Sequence, residues 1–167
     1  MKIQKIVFAT DFSAGSKYTA PYAADMARKF GAKLYVIHVV QDMGKMTAWY
    51  APKVNMKELE KTMEEKSKQE LQLCCTEGFG DFKDVEYRLL KGTPFEQILK
   101  YQQDNKADLI VIGTIGGHNT GKGNAFGSTA DRVVKNASCP VLTVSLPDRT
   151  TAESYDPRLC SAGEIRL

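Results

Sequence analysis

Six glycines, Gly113, Gly116, Gly117, Gly121, Gly123 and Gly127, crowd one short stretch, and the hydroxyl residues Ser128 and Thr129 follow at once. The chemistry this combination suits is anion binding. Glycines let bare backbone N–H groups approach a phosphate, and a helix N-terminus adds donors without intrahelical partners and a favourable dipole. A helix is expected there, because Ala130, Val133, Val134 and Ala137 fall at offsets of three, four and seven. Ser128 is its expected N-cap and Pro140 its stop. Before the glycines, Leu109–Ile112 is too short for an ordinary helix and rich in β-branched residues, so it reads as a buried strand; Val141–Leu146 reads as another. The unit is strand, glycine loop, helix, strand.

The spacing decides which anion site this is. Gly116–Gly123 approaches the nucleotide loop GxxxxGK[ST], with Lys122 in the lysine place, but Gly123 has no hydroxyl to offer Mg²⁺. The cap-like residue also comes late, at Ser128 rather than beside the lysine. The stretch instead resembles the universal stress proteins, whose ATP-binding members carry Gly, two residues, Gly, nine residues, then Gly-Ser or Gly-Thr. Gly113, Gly116, Gly127 and Ser128 fill those places, Thr129 follows, and Ala137 to Val144 is similar to the family's closing strand. There is one departure. Ten residues, Gly117 to Phe126, lie between Gly116 and Gly127, an apparent one-residue insertion. Anchoring on Gly117 restores nine but widens the first gap to three.

Other elements must position this loop. Lys2–Thr10 is the first expected strand, with Ile6 to Ala9 apolar, and Ser16–Phe30 is a helix carrying Tyr22, Ala23, Met26, Ala27 and Phe30 on one face. Asp11 and Ser13 between them are turn and cap residues. They also sit just beyond a strand's carboxyl end, where ligands of open α/β sheets bind. Gly31 closes the helix, and Lys33–Gln41 is a central strand. Its His38 is best read as a strand residue whose ring finds a hydrogen-bond partner, since no second ligand or nucleophile neighbours it.

Asp42–Asn55 is irregular, and its aromatics Trp49 and Tyr50 either pack on the next helix, the favoured reading, or form a lid. Met56 to about Gly78 is a long helix whose acids and bases alternate three or four apart, a solvated face. Phe82–Leu90 alternates apolar and polar residues, as an edge strand does. Thr93 caps a short helix, Phe95–Gln103, with Pro94 at its first position. Strand and helix alternate to a fifth strand. That implies a three-layer open five-stranded parallel sheet with helices on both faces.

Composition narrows the function. The chain has 167 residues, 43% hydrophobic and 26% charged, with a net charge of +3 and dispersed basic residues, so nothing calls for nucleic acid. No stretch approaches the roughly twenty apolar residues that span a bilayer, so no membrane partner is expected, and no signal-peptide layout is seen. A cytoplasmic protein is expected. Cys74, Cys75, Cys139 and Cys160 form no metal-binding pattern and read as reduced thiols, with Cys160 the one expected to be exposed. One domain is expected over residues 1–146, and an aperiodic tail over 147–167.

The resemblance, covering Ile3 to Leu146, implies more. The strand order would be 3-2-1-4-5. Asp11-Phe12-Ser13 is similar to the family's turn beside adenine and ribose, and Val39 aligns with the residue whose backbone meets the base. Ala9, Thr10, Asp11 and Val39 would surround the nucleoside, with Gly113, Gly116, Gly127, Ser128 and Thr129 around the phosphates of ATP, with or without Mg²⁺, and Ile112 would also border the nucleotide. Lys122 is a further phosphate candidate. The family implies a stress-response sensor or regulator with at most weak ATP hydrolysis, and a homodimer through Val141 to Leu146. Two rivals stay open. One is a member that binds no nucleotide and acts through its dimer or other partners; the other is an enzyme using His118 as acid or base and Lys122 as electrophile.

Overall fold

A computed structural model of the chain describes residues 2–41, 56–114 and 126–146. Five parallel strands are joined by four helices: β1 (Lys5–Ala9), α1 (Ala14–Phe30), β2 (Lys33–Val40), α2 (Met56–Phe79), β3 (Val85–Lys91), α3 (Pro94–Asn105), β4 (Leu109–Gly113), α4 (Ser128–Asn136) and β5 (Val141–Val144). The sheet order is β3-β2-β1-β4-β5, as the resemblance implied. The chain order reverses direction between β1 and β4, so their carboxyl ends lie side by side at a switch point.

The central strands are apolar on both sides because both sides are covered. Along β1, Ile6 and Phe8 face one layer, with Leu34, Val36 and Val111. Val7 and Ala9 face the other, with Ile37, Ile110 and Ile112. The first layer is closed by α1 and α2, through Ala20, Ala23, Ala24 and Ala27 of α1 and Leu71 and Phe79 of α2. Alanines there let α1 lie close to the sheet. The second is closed by α3 and α4, through Ile98, Ala130 and Val133.

Several boundaries differ from the sequence reading, for local reasons. The first helix begins at Ala14, because the Ser13 side chain caps it by accepting from Ser16 N–H. Ser128 is not a cap. The N-cap of α4 is Gly127, extended at φ −71° and ψ 159°, and Ser128 is the first helical residue. Thr93 caps α3 by position only, with no side-chain bond to the helix. β3 starts at Val85 and β5 ends at Val144, each where its pairing with the neighbouring strand begins or stops.

Candidate functional site

The site is assembled where β1 and β4 end. After Ala9 the chain leaves the sheet through a network of hydroxyls. Thr10 Oγ1 accepts from Phe12 N–H at 3.1 Å and donates to Ser16 Oγ at 3.1 Å. Asp11 Oδ1 accepts from both the backbone N–H and the hydroxyl of Ser13, so Asp11 serves the turn as well as facing the cleft. Phe12 adopts a left-handed φ of 63°, and its ring stacks on His38 with centroids 4.1 Å apart.

On β2, backbone groups of alternate residues point to opposite neighbours. The Ile37 carbonyl accepts from Thr10 N–H on the β1 side, and the Val40 carbonyl accepts from Gly92 N–H on the β3 side. Val39 therefore turns its N–H and C=O towards β1, yet the β1 pairing ends at Ala9–Ile37. Those two groups face the opening that β1 leaves as it turns away.

His38 has the hydrogen-bond partner expected of it: its Nδ1 lies 2.8 Å from the Thr10 carbonyl. Because a carbonyl can only accept, Nδ1 carries the proton. Burial holds the ring below the usual histidine range, outweighing the Thr10 carbonyl and the Asp11 and Glu70 carboxylates, which pull the other way.

On the β4 side, a Cβ at Gly113 would lie 3.1 Å from Thr19 Oγ1 and 3.2 Å from the Gly15 carbonyl, so glycine is what lets α1 pass there. Thr114 N–H donates to the Val144 carbonyl, and Gly127 N–H donates to the Thr114 carbonyl at 2.6 Å. The second bond pins the start of α4 beside the end of β4. It places the first-turn donors of α4, at Ser128 and Thr129, at the same opening.

These groups line one cleft of about 510 Å³, a size suited to a nucleotide-sized ligand. Ala9, Thr10, Asp11, Val39, Ile112, Gly113, Gly127, Ser128 and Thr129 all border it. Gly116 lies outside the described residues, as do His118, Lys122, Asp42–Asn55, Cys160 and the tail over 147–167; the side chains of Cys74 and Cys75 are likewise undescribed. Among the described residues no lysine or arginine lines the cleft, so anion binding by them would rest on backbone N–H groups and hydroxyls. No group of three metal-ligating side chains occurs among them either, and no helix among them is long and apolar enough to cross a membrane.

Sequence reasoning missed some of the wall. Met63 and Ser67, four apart on α2, border the cleft, and so does His38. The i, i+4 spacing was visible, but on so charged a helix it did not distinguish the cleft-facing stripe from the solvated one.

Known proteins share this fold. The sequence profile of the Universal stress protein family matches residues 2–145. Universal stress protein MJ0531 of Methanocaldococcus jannaschii is 34% identical over 149 residues, which cover 87% of this chain and 84% of that protein. The solved structure of MJ0577 from the same organism superposes with a TM-score of 0.74 at 23% identity, over 89% of this chain and 99% of that one. A universal stress protein from Archaeoglobus fulgidus, solved in complex with dAMP, has a TM-score of 0.57 at 25% identity, over 86% and 98% of the two chains. With the switch-point cleft, the strand order and a match over nearly the whole described length, this chain belongs to the universal stress protein family.

Proposed function

We propose that this protein is an adenine-nucleotide-binding regulator or sensor of the stress response, located in the cytoplasm, with ATP as its principal ligand. The observation that carries this reading is the convergence of three kinds of group on one cleft. The outward-facing Val39 N–H and C=O match the edge of a base, Asp11 offers a carboxylate to ribose hydroxyls, and the α4 N-terminus offers first-turn donors to phosphate. The dAMP complex of the Archaeoglobus fulgidus relative supports adenine as the base.

In this reading ATP binds with or without Mg²⁺. Bound ATP supplies an activated phosphoryl group; the residues of this chain bind and orient it. Any hydrolysis is at most weak, since among the described lining residues no lysine or arginine stands where charge would develop on a transferred phosphoryl group. The same reading includes a homodimer formed through the β5 edge, Val141 to Leu146, whose strand residues are only partly covered.

Isothermal titration with Mg-ATP, AMP and GTP tests it. Saturable binding of ATP or AMP in preference to GTP is the expected outcome. Folded protein that takes up none of them would refute it and leave the second reading, a family member that acts through its dimer or partners. The ten-residue spacing between Gly116 and Gly127 favours that rival.

A further inference from the structure

We propose that His38 is a positioning residue of this site: by engaging the Thr10 carbonyl, its imidazole keeps the neighbouring Val39 N–H available to the nucleotide. The inference rests on the adenine-nucleotide reading above and assigns a task to a side chain that reading does not use.

The argument starts from strand register. Thr10 N–H donates to the Ile37 carbonyl at 3.0 Å, and in a parallel ladder the next bond would run from Val39 N–H to the Thr10 carbonyl. Among the described residues that bond is not made. The pairing of β1 with β2 stops at Ala9–Ile37, and the Thr10 carbonyl receives the His38 ring at 2.8 Å instead. Were the ladder to continue by one bond, the donor aimed into the cleft would be consumed by the protein itself.

The ring acts on the turn in a second way. Phe12, which carries the chain away from β2, sits at a φ of 63° that L side chains with a Cβ adopt at a cost. Its N–H is held by Thr10 Oγ1, and its ring lies on the face of His38 at 4.1 Å with an interplanar angle of 28°. The imidazole thus grips the turn twice, edge-on at the Thr10 carbonyl and face-on at Phe12. Around it, the turn contributes the Asp11 carboxylate, α2 contributes Glu70, and β3 contributes only the apolar Leu89 at the paired position. Neither carboxylate can replace Nδ1–H, since both only accept.

Two readouts test this, one of them independent of nucleotide. In nucleotide-free protein, amide hydrogen exchange at Val39 is followed by NMR in the wild type, His38→Leu and His38→Asn. Asparagine places an amide donor close to where Nδ1 stands; leucine does not. Val39 exchange is expected to slow about tenfold or more in His38→Leu, as the Thr10 carbonyl returns to the ladder, and to stay at the wild-type rate in His38→Asn. Titration with ATP should show about tenfold weaker binding for His38→Leu, the scale of one hydrogen bond, and near-complete recovery in His38→Asn. If His38→Leu does not fold, His38→Asp serves in its place, being isosteric with asparagine but lacking a donor. Unchanged Val39 exchange in the donor-less variant, or wild-type ATP affinity there, overturns the proposal. If wild-type protein binds no adenine nucleotide, the functional reading fails, and the Val39 exchange rates alone decide whether His38 governs the strand end.

Discussion

Gly113 lies so close to α1 that a Cβ on it would stand 3.1 Å from Thr19 Oγ1. The Gly15 carbonyl is nearly as near, at 3.2 Å, and Thr19 Oγ1 itself donates to that carbonyl at 2.7 Å. The end of β4 and the first turns of α1 therefore share a contact so tight that a methyl group would have to push its neighbours back by a few tenths of an ångström.

Gly113→Ala should destabilise the fold by about 1–3 kcal/mol, as overpacking does, and lower the thermal midpoint by roughly 3–10 °C. Adding Thr19→Ala removes one of the two close atoms and leaves the other. Scanning calorimetry of the single and double variants should show partial recovery. No recovery would locate the strain at the Gly15 backbone.

The bond from Gly127 N–H to the Thr114 carbonyl can be broken at its donor. Gly127 sits at φ −71°, which proline adopts readily, so Gly127→Pro deletes the donor and sets a ring Cδ against the Thr114 carbonyl. The expected result is retained helix content by circular dichroism and at least tenfold weaker ATP binding, because the α4 N-terminus is no longer held at the cleft. Gly127→Ala keeps the N–H and should bind more tightly than Gly127→Pro.

His38 makes stability depend on pH in a predictable direction. Burial lowers its folded-state pKa, so between that value and the unfolded value of about 6.5 the unfolded chain binds more protons than the native one. Stability should therefore fall as pH drops through about 6.5, and this contribution should level off once pH is below the folded pKa. Urea midpoints at pH 7.5, 6.5 and 5.5 should decline more steeply for wild type than for His38→Asn. A steeper decline in the variant would contradict the sign.

The outer edge of β5 offers a test of assembly. The carbonyls of Pro140 and Val144 accept from Ile110 and Thr114, so alternate residues, Val141 and Thr143, point their backbone groups away from β4. Thr143→Pro removes an outward donor and spares the ladder. By analytical ultracentrifugation the wild type should sediment as a dimer and Thr143→Pro as a folded monomer. A dimer that survives the substitution would place the interface elsewhere.

Much of this was legible in the chain itself. Continuous apolar runs such as Ile6 to Ala9 and Leu109 to Ile112 marked strands covered on both faces, and Gly31 marked where α1 ends, whereas α4 ends at Asn136, ahead of the expected stop at Pro140. The glycine, serine and threonine spacing located one wall of the cleft. Periodicity could not show that the outward-facing donor on β2 belongs to Val39, because that depends on where β1 stops pairing. Nor could it tell that Ser128 enters the helix while Gly127 caps it, since both types suit either place and the Thr114 carbonyl decides between them. The partner of His38 lies 28 residues away, beyond any local pattern.

The bond that ties Gly127 to Thr114 also bears on how this family can diversify. With both ends of the glycine stretch fixed to the sheet, one added residue changes the closure entropy by only about 0.1 kcal/mol. Selection for folding is thus nearly blind to the length of the segment, which can change while the strand and helix on either side of it stay the same.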